Sequence, residues 1–287
     1  MSTKAGPFDF DISVFSGERI SRGAAYSFLI LMTISIVLPY LWVVGSSFKA
    51  PGALFQNPLQ PLPSEPTLEN WRAAWEQLGP FILNSVIMGI GTALLALIAA
   101  VPASYAFGRL DFPGKDILFY GTITALLFPF IVLVIPITSL WRDVGLFNTF
   151  PGVMLAHQIW VLPFSIWILR DFFEDMPVNI EEAAQVYGCT QFEAFYRVIL
   201  PLSVPPIAAI GFLGFLHGWN EFLFTNLLTV SQGPVTATLQ LYSALQAGSG
   251  DQIRYSLLMA MALIVAIPPS LVYLYVRRHL TQAFAVD

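Results

Sequence analysis

A chain of 287 residues that is 56% hydrophobic and 11% charged, with a mean hydropathy of +0.70, lies outside the usage of water-soluble domains and describes an integral membrane protein. Its net charge of −5 argues against nucleic acid as a partner. The single cysteine, Cys189, excludes an internal disulfide, and three scattered histidines offer no metal-ligand spacing.

Crossing a bilayer as a helix takes about 20 predominantly apolar residues. Six charge-free runs meet that length: between Arg22 and Lys49, Glu76 and Arg109, Asp116 and Arg142, and Asp143 and Arg170, then from Val198 to Asn220 and from Tyr255 to Val276. Barrel strands are about half as long and alternate in polarity, so the predicted fold is all-α with six transmembrane helices. Short cytoplasmic segments are enriched in Lys and Arg. An N-terminus placed inside puts Lys4, Arg19, Arg22, Arg109, Lys115, Arg170, Arg197, Arg277 and Arg278 in the cytoplasm and leaves Lys49, Arg72, Arg142 and Arg254 outside. Both termini are then cytoplasmic in a multi-pass protein of the cell membrane, with Cys189 on the reducing side. The mixed, polar residues before the first run, and the full spanning length of that run, predict a retained N-terminal segment (1–23) and no cleaved signal peptide.

After the first span, residues 50–80 form a loop dense in proline (Pro51, Pro58, Pro61, Pro63, Pro66). Thr67 is placed to cap a short helix whose Trp71, Ala74, Trp75 and Leu78 share one face, an interfacial element that reads as an aromatic belt anchor. The turn from Gly108 to Lys115 is one residue too long for a phosphate-cradling GxxxxGK and ends in Asp116, so it reads as a basic connection, and the chain is not expected to hydrolyse ATP. Prolines 129, 136, 163, 268 and 269 mark bends within spans.

Between the fourth and fifth spans, residues 179–201 read NIEEAAQVYGCTQFEAFYRVILP, a segment of soluble character inside a membrane protein. Asn179 with Glu182 fits a helix N-cap and its third-position carboxylate, and Ile180, Ala183, Ala184 and Tyr187 fall on one side. Gly188 closes that helix, and Thr190 with Glu193 supplies a second capping box. The second helix runs through Phe192, Phe195 and Tyr196 to Pro201, and Pro205 and Pro206 restart the chain. The result is helix, tight turn, helix: a compact cytoplasmic knob that suits docking or serves as an interfacial loop with its carboxylates spent on capping. At the outer end of the fifth span, Trp219, Asn220 and Glu221 are candidates to line a pathway, since aromatic, amide and carboxylate groups at membrane depth turn inward. An interhelical hydrogen-bond cluster would use the same residues. Residues 223–254 are almost charge-free but rich in Thr, Ser, Gly and Gln, an external segment open to a partner or simply a connector.

The order Glu182-Ala183-Ala184, then Gly188, then Leu200-Pro201 resembles the EAA loop of permease subunits in binding-protein-dependent ABC importers. Glu65 to Trp71 (EPTLENW), Asn84-Ser85, Tyr105 to Lys115 (YAFGRLDFPGK), Gly145 to Thr149 (GLFNT) and Trp219 to Phe222 (WNEF) are similar to its carbohydrate branch, the maltose-permease-G-like subunits. The resemblance covers roughly 24–280, the six-helix permease domain of a type I importer, with a cytoplasmic tail at 281–287. Two departures stand in the loop, Tyr187 where the family usually has Asp and Cys189 where it often has Ala, and the tail lacks the glycine-rich ending common in that branch.

The resemblance implies half of a transmembrane pathway for a sugar or related polyol. It implies as partners a second homologous permease, two copies of an ABC ATPase, an extracytoplasmic substrate-binding protein and the lipid bilayer. No cofactor is expected on this chain; ATP and Mg belong to the ATPase. Coupling would fall to Glu182, Ala183, Ala184, Tyr187, Gly188, Phe195 and Pro201, with Trp219, Asn220 and Glu221 in the substrate pathway. A secondary transporter or another polytopic membrane protein is the alternative, which would show repeated hydropathy and intramembrane charges.

Overall fold

The computed structural model describes residues 22–50, 52–56, 60–230, 233–247 and 254–283, and every regular element among them is helical. Residues 1–21, Pro51, Pro58, Asp251 and the last four residues, on which parts of the sequence reading fall, lie outside them. In chain order the helices are α1 (Arg22–Ser47), α2 (Ala53–Gln56), α3 (Glu69–Arg109), α4 (Lys115–Thr124), α5 (Phe130–Asp143), α6 (Phe150–Asp175), α7 (Val178–Val186), α8 (Gln191–Ala194), α9 (Leu200–Leu202), α10 (Val204–Asn220), α11 (Leu223–Leu228), α12 (Ala237–Ala247) and α13 (Tyr255–Ala283). A 3-10 turn (Ala125–Leu127) follows α4, and a π-helical turn (Phe195–Ile199) joins α8 to α9.

Four helices are long and apolar enough to cross a membrane singly, within α1, α3, α6 and α13. The third predicted span is broken: α4 with its 3-10 turn meets α5 at 102°. Proline disfavours a helical conformation in the residue before it, and Phe128 is extended ahead of Pro129. The fifth is bent too, with residues 191–202 meeting α10 at 73°. Pro136, Pro163, Pro268 and Pro269, by contrast, sit inside unbroken helices. The helical tail also runs on to Ala283, past the expected boundary at 280.

The expected interfacial helix near Trp71 does not exist as a separate element. It is the first part of α3, a continuous rod of 41 residues, about 60 Å at about 1.5 Å per residue. Thr67 accepts from the Glu69 N–H but stands one residue before the N-cap, Leu68. Ala74 and Leu78 face the core with Trp219, Leu257 and Met261, and the belt reading holds at most for Trp75, whose ring is exposed. Asn70 and Trp71 are tie points: the Asn70 amide donates to the carbonyls of Ser47 (3.1 Å) and Lys49 (2.7 Å), and the Trp71 indole donates to the Ser47 hydroxyl. These bonds satisfy carbonyls left without an intrahelical partner where α1 ends.

α3 is the axis of the molecule, packed along its length by α6, α10 and α13. Ser85, Gly89, Thr92, Ala93, Ala96 and Ala100 form its buried stripe, and α10 answers with Gly211, Gly214 and Gly218. Helix association in lipid depends on close packing, which small residues permit. The side chains of α1 from Tyr26 to Leu41, by contrast, are all exposed on a helix that packs chiefly against α13.

Candidate coupling and pathway site

The 179–201 segment folds as a helical hairpin whose two ends close by different rules. α7 begins at Val178 behind Pro177, so Asn179 is not its cap: a proline N-cap has already set the helical entry. It ends in a Schellman turn, with Cys189 N–H to Ala184 C=O at 3.1 Å, Gly188 N–H to Gln185 C=O at 2.9 Å, and Gly188 at φ +93°. Two residues on, the expected capping box is complete: Thr190 Oγ1 accepts from the Glu193 N–H at 3.2 Å and the Glu193 carboxylate accepts from the Thr190 N–H at 3.0 Å. The Thr190 N–H, the Thr190 hydroxyl and then Arg197 hold the Glu193 carboxyl below the usual carboxylate range. The box therefore keeps its full strength at neutral pH and loosens as acid protonates Glu193. Thr190→Ala should cost about 1 kcal/mol of local stability, read as faster amide exchange at residues 191–194 with no change elsewhere.

The buried face of α7 differs from the predicted one. Ile180, Glu181 and Ala184 turn inward, whereas Glu182, Ala183 and Tyr187 are exposed, Tyr187 at 89%. Beyond Gly188, Phe192 and Tyr196 are also exposed and Phe195 is half-buried against the Tyr105 ring, 4.4 Å between centroids. Pro201 lies in α9, ahead of the 73° bend at Ser203. The hairpin thus presents Val186, Tyr187, Phe192 and Tyr196 outward and does not run straight into α10.

What holds it is a carboxylate that the sequence reading passed over. Glu181 accepts from the Tyr105 hydroxyl at 2.5 Å and lies 4.0 Å from the Arg109 Nε, and Arg109 also donates through Nη2 to the Met176 carbonyl. All three side chains are buried at the end of α3. Gly108 lets α6 come close there: a Cβ at that position would lie 3.0 Å from the Arg170 carbonyl oxygen. Tyr105 and Arg109 belong to the segment 105–115 quoted above, so the motif was visible and its role was not.

At the opposite end of α10, Trp219 is wholly buried beside Phe215, its indole N–H without a hydrogen-bond partner among the described residues and its carbonyl accepting from Thr238 at 2.8 Å. The ring occupies the helix core and faces no open path, while Asn220 is exposed. Glu221 is engaged on three sides, accepting from the Phe224 N–H (2.9 Å), the Thr225 N–H (3.1 Å) and His157 Nε2 (3.0 Å). The opposite nitrogen of His157 bonds Thr92 at 3.0 Å. The arrangement joins α3, α6, α10 and α11 through one buried polar relay, and a cavity of about 120 Å³ lies against it, lined by Trp160, His157, His217 and Glu221. Two of the histidines that looked scattered meet here, their rings 5.5 Å apart. No group of three metal-ligating side chains occurs among the described residues.

GLFNT is a joint as well. Gly145 and Asn148 adopt positive φ (+74° and +60°), Thr149 caps α6, and the Asn148 side chain accepts from the Val230 N–H at 2.9 Å. From the other side, the Asn84 amide donates to the Val235 carbonyl at 2.9 Å and Ser85 accepts from the Ala237 N–H at 2.8 Å. The motif residues hold the connection between α11 and α12 where it folds back on α3.

The described residues thus form a helix bundle of membrane-spanning length and apolarity that carries an outward-facing hairpin on a buried ionic anchor, the architecture of a polytopic membrane protein. The sequence profile of the binding-protein-dependent transport system inner membrane component matches residues 93–286, and the chain belongs to that family. It is 32% identical over 267 residues to the diacetylchitobiose uptake system permease protein NgcG of Streptomyces coelicolor, covering 92% of this chain and 88% of the relative. It is also 32% identical to the trehalose transport system permease protein SugB of Mycobacterium tuberculosis, over 81% of this chain and 84% of that one. Among solved structures, a chain of a bacterial ABC transporter involved in import of the acidic polysaccharide alginate superposes with a TM-score of 0.75 at 18% identity, over 96% of this chain and 99% of its own. A chain of the MetNI methionine ABC transporter shares the fold at a TM-score of 0.56 and 14% identity, over 72% of this chain and 98% of its own. Membership makes the protein a transport component and not an enzyme.

Proposed function

We propose that this chain is a permease subunit of an ATP-driven importer for a sugar or related polyol, and that the 179–201 hairpin is its coupling element. The observation that carries the coupling role is the exposed cluster of Val186, Tyr187, Phe192 and Tyr196 on a hairpin closed at both turns and anchored through Glu181. Exposed aromatics on a stiff mount suit a protein groove, and a stiff mount carries displacement inward. The relatives named for diacetylchitobiose and trehalose support the sugar class. Its partners are then a second homologous permease, two copies of an ABC ATPase that bind ATP and Mg, and an extracytoplasmic binding protein. The hairpin and both termini lie in the cytoplasm.

Closure of the ATPase dimer would move the groove that holds Glu182, Ala183, Ala184, Tyr187 and Gly188. Because α8 and α9 meet α10 at 73°, that movement reaches the bundle by two routes: through Phe195 and Pro201 into α10, and through Glu181 into the end of α3. Asn220 and Glu221 stand at the far end of α10, where the relay through His157 ties α10 to α3, α6 and α11.

Reconstitution with the ATPase, the second permease and the binding protein should give ATP hydrolysis stimulated by sugar-loaded binding protein, across a panel of mono- and disaccharides. Uptake by this chain alone, driven by an ion gradient, would overturn the reading. Within the complex, Glu182→Lys reverses an exposed charge on the docking face and should abolish transport while the bundle stays folded; normal transport by an assembled Glu182→Lys complex would remove Glu182 from the coupling surface.

A further inference from the structure

We propose that the cavity between α3, α11 and α12 is a contact site for a neutral polyhydroxylated ligand, a saccharide in transit, an inference that rests on the sugar-import reading above. It is an open groove of about 420 Å³, lined by Phe81, Asn226, Thr229, Gln240 and Ser243 together with aliphatic side chains, with Asn226 and Ser243 at its exposed rim. That volume lies within the range of about 300–1,000 Å³ typical of small-molecule sites.

The lining has a definite chemistry. Among the described residues no ionisable side chain lines it, so a cation, an anion or a zwitterion would be desolvated there without a counter-charge. A saccharide presents hydroxyls and apolar C–H faces, and the cavity offers one group for each. The Phe81 ring supplies an apolar surface. The Asn226 and Gln240 amides, which make no side-chain hydrogen bond to other described residues, each supply donors and an acceptor. Thr229 and Ser243 already donate to the carbonyls of Thr225 (2.6 Å) and Leu239 (3.0 Å), which leaves their oxygens to accept from a ligand hydroxyl.

The walls are also fixed before any ligand arrives. Asn148 holds Val230, Asn84 holds Val235, Ser85 holds Ala237, and Thr238 donates to the Trp219 carbonyl, so α11 and α12 are pinned to α3, α6 and α10 on both sides of the cavity. Preorganised walls lower the ordering cost of binding. Beside the site, Trp219 belongs to the helix core and Glu221 to the polar relay, while Asn220 is exposed; the uncharged face is the one proposed here to meet the substrate.

The test is protection of cysteines in the complete complex in proteoliposomes. Asn226→Cys and Gln240→Cys are reacted separately with a neutral methanethiosulfonate reagent, and the labelled peptides are read by mass spectrometry so that Cys189 does not contribute. Maltose, trehalose and diacetylchitobiose are the probes, with glucuronate and glycine as charged controls. At least one neutral disaccharide should slow labelling at both positions by about threefold or more, as mass action gives for a mostly occupied site, and the charged controls should not. Labelling that no neutral disaccharide slows at either position, or that the charged controls slow equally, overturns the proposal. The wild-type complex keeps the two readings apart: absent sugar-stimulated ATP hydrolysis counts against import itself, whereas normal stimulation with unprotected cysteines counts against this cavity alone.

Discussion

Gly218→Leu should remove the folded protein from the membrane, an outcome read as lost yield and lost monodispersity in detergent beside the native chain. A Cβ at position 218 would lie 2.7 Å from the Thr92 Oγ1 and 2.8 Å from the Met88 carbonyl oxygen. The carbonyl belongs to the backbone of α3 and cannot rotate away. Thr92 is held by His157, so any displacement there reaches the relay to Glu221. The neighbouring turns leave no slack: Gly214 sits against Ala93, where a Cβ would lie 3.2 Å from its Cα, and Gly89 sits against the Phe215 ring. Overpacking a filled core costs about 1–3 kcal/mol where neighbours can shift, and here two helices would have to separate along their whole contact. Gly218→Ala forces a smaller shift and should retain part of the yield. A leucine variant as abundant and as heat-resistant as the native protein would show that α3 and α10 do not depend on this approach.

Glu181→Ala should loosen the hairpin from the bundle without unfolding the spans. The substitution deletes the acceptor of the Tyr105 hydroxyl and the counter-charge of Arg109, whose side chain is 6% exposed. Removing one partner of a buried pair costs about 3–5 kcal/mol because the remaining charge stays buried. The expected readouts are rapid amide exchange and protease cleavage across residues 178–190, and ATP hydrolysis that no longer tracks transport. Glu181→Gln keeps a hydrogen-bond acceptor for Tyr105 and should fall between the two. Glu182→Gln removes a charge from an exposed position and should leave stability within about 0.5 kcal/mol of the native value. If Glu181→Ala exchanges no faster than Glu182→Gln, the anchor is not what holds the hairpin.

The contrast between those two neighbours shows where sequence reasoning stopped. The EAA pattern drew attention to Glu182, and the capping logic assigned it to an Asn179 cap that a proline-led helix start had displaced. Adjacent residues on a helix point about 100° apart, so one of the pair had to face inward, but the segment is amphipathic on too short a length to say which. The partners that decide it, Tyr105 and Arg109, arrive from α3, with Tyr105 and Glu181 76 positions apart in the chain. Trp71 failed in the same way. A tryptophan near a predicted interface reads as a belt anchor, and only the return of α1 beside α3 turns its indole toward Ser47.

By itself the sequence determined the membrane-embedded, all-helical character of the protein, the placement of its apolar runs, and the two closures of the hairpin at Gly188 and at Thr190 with Glu193. These follow from local physics, since burying backbone and charge in hydrocarbon, adopting a left-handed turn and capping a first helical turn all depend on residues a few positions apart. The tertiary structure alone decided how sharply the third and fifth runs bend, by 102° and 73°, that α3 is one rod, that Glu181 is the anchor and that Trp219 is core. It also gathered Phe81 with Asn226, Thr229, Gln240 and Ser243 into one uncharged groove. Each of these depends on which helices approach closely enough to touch, and that is set by the glycine and alanine contacts of α3 with α6 and α10 across long stretches of chain.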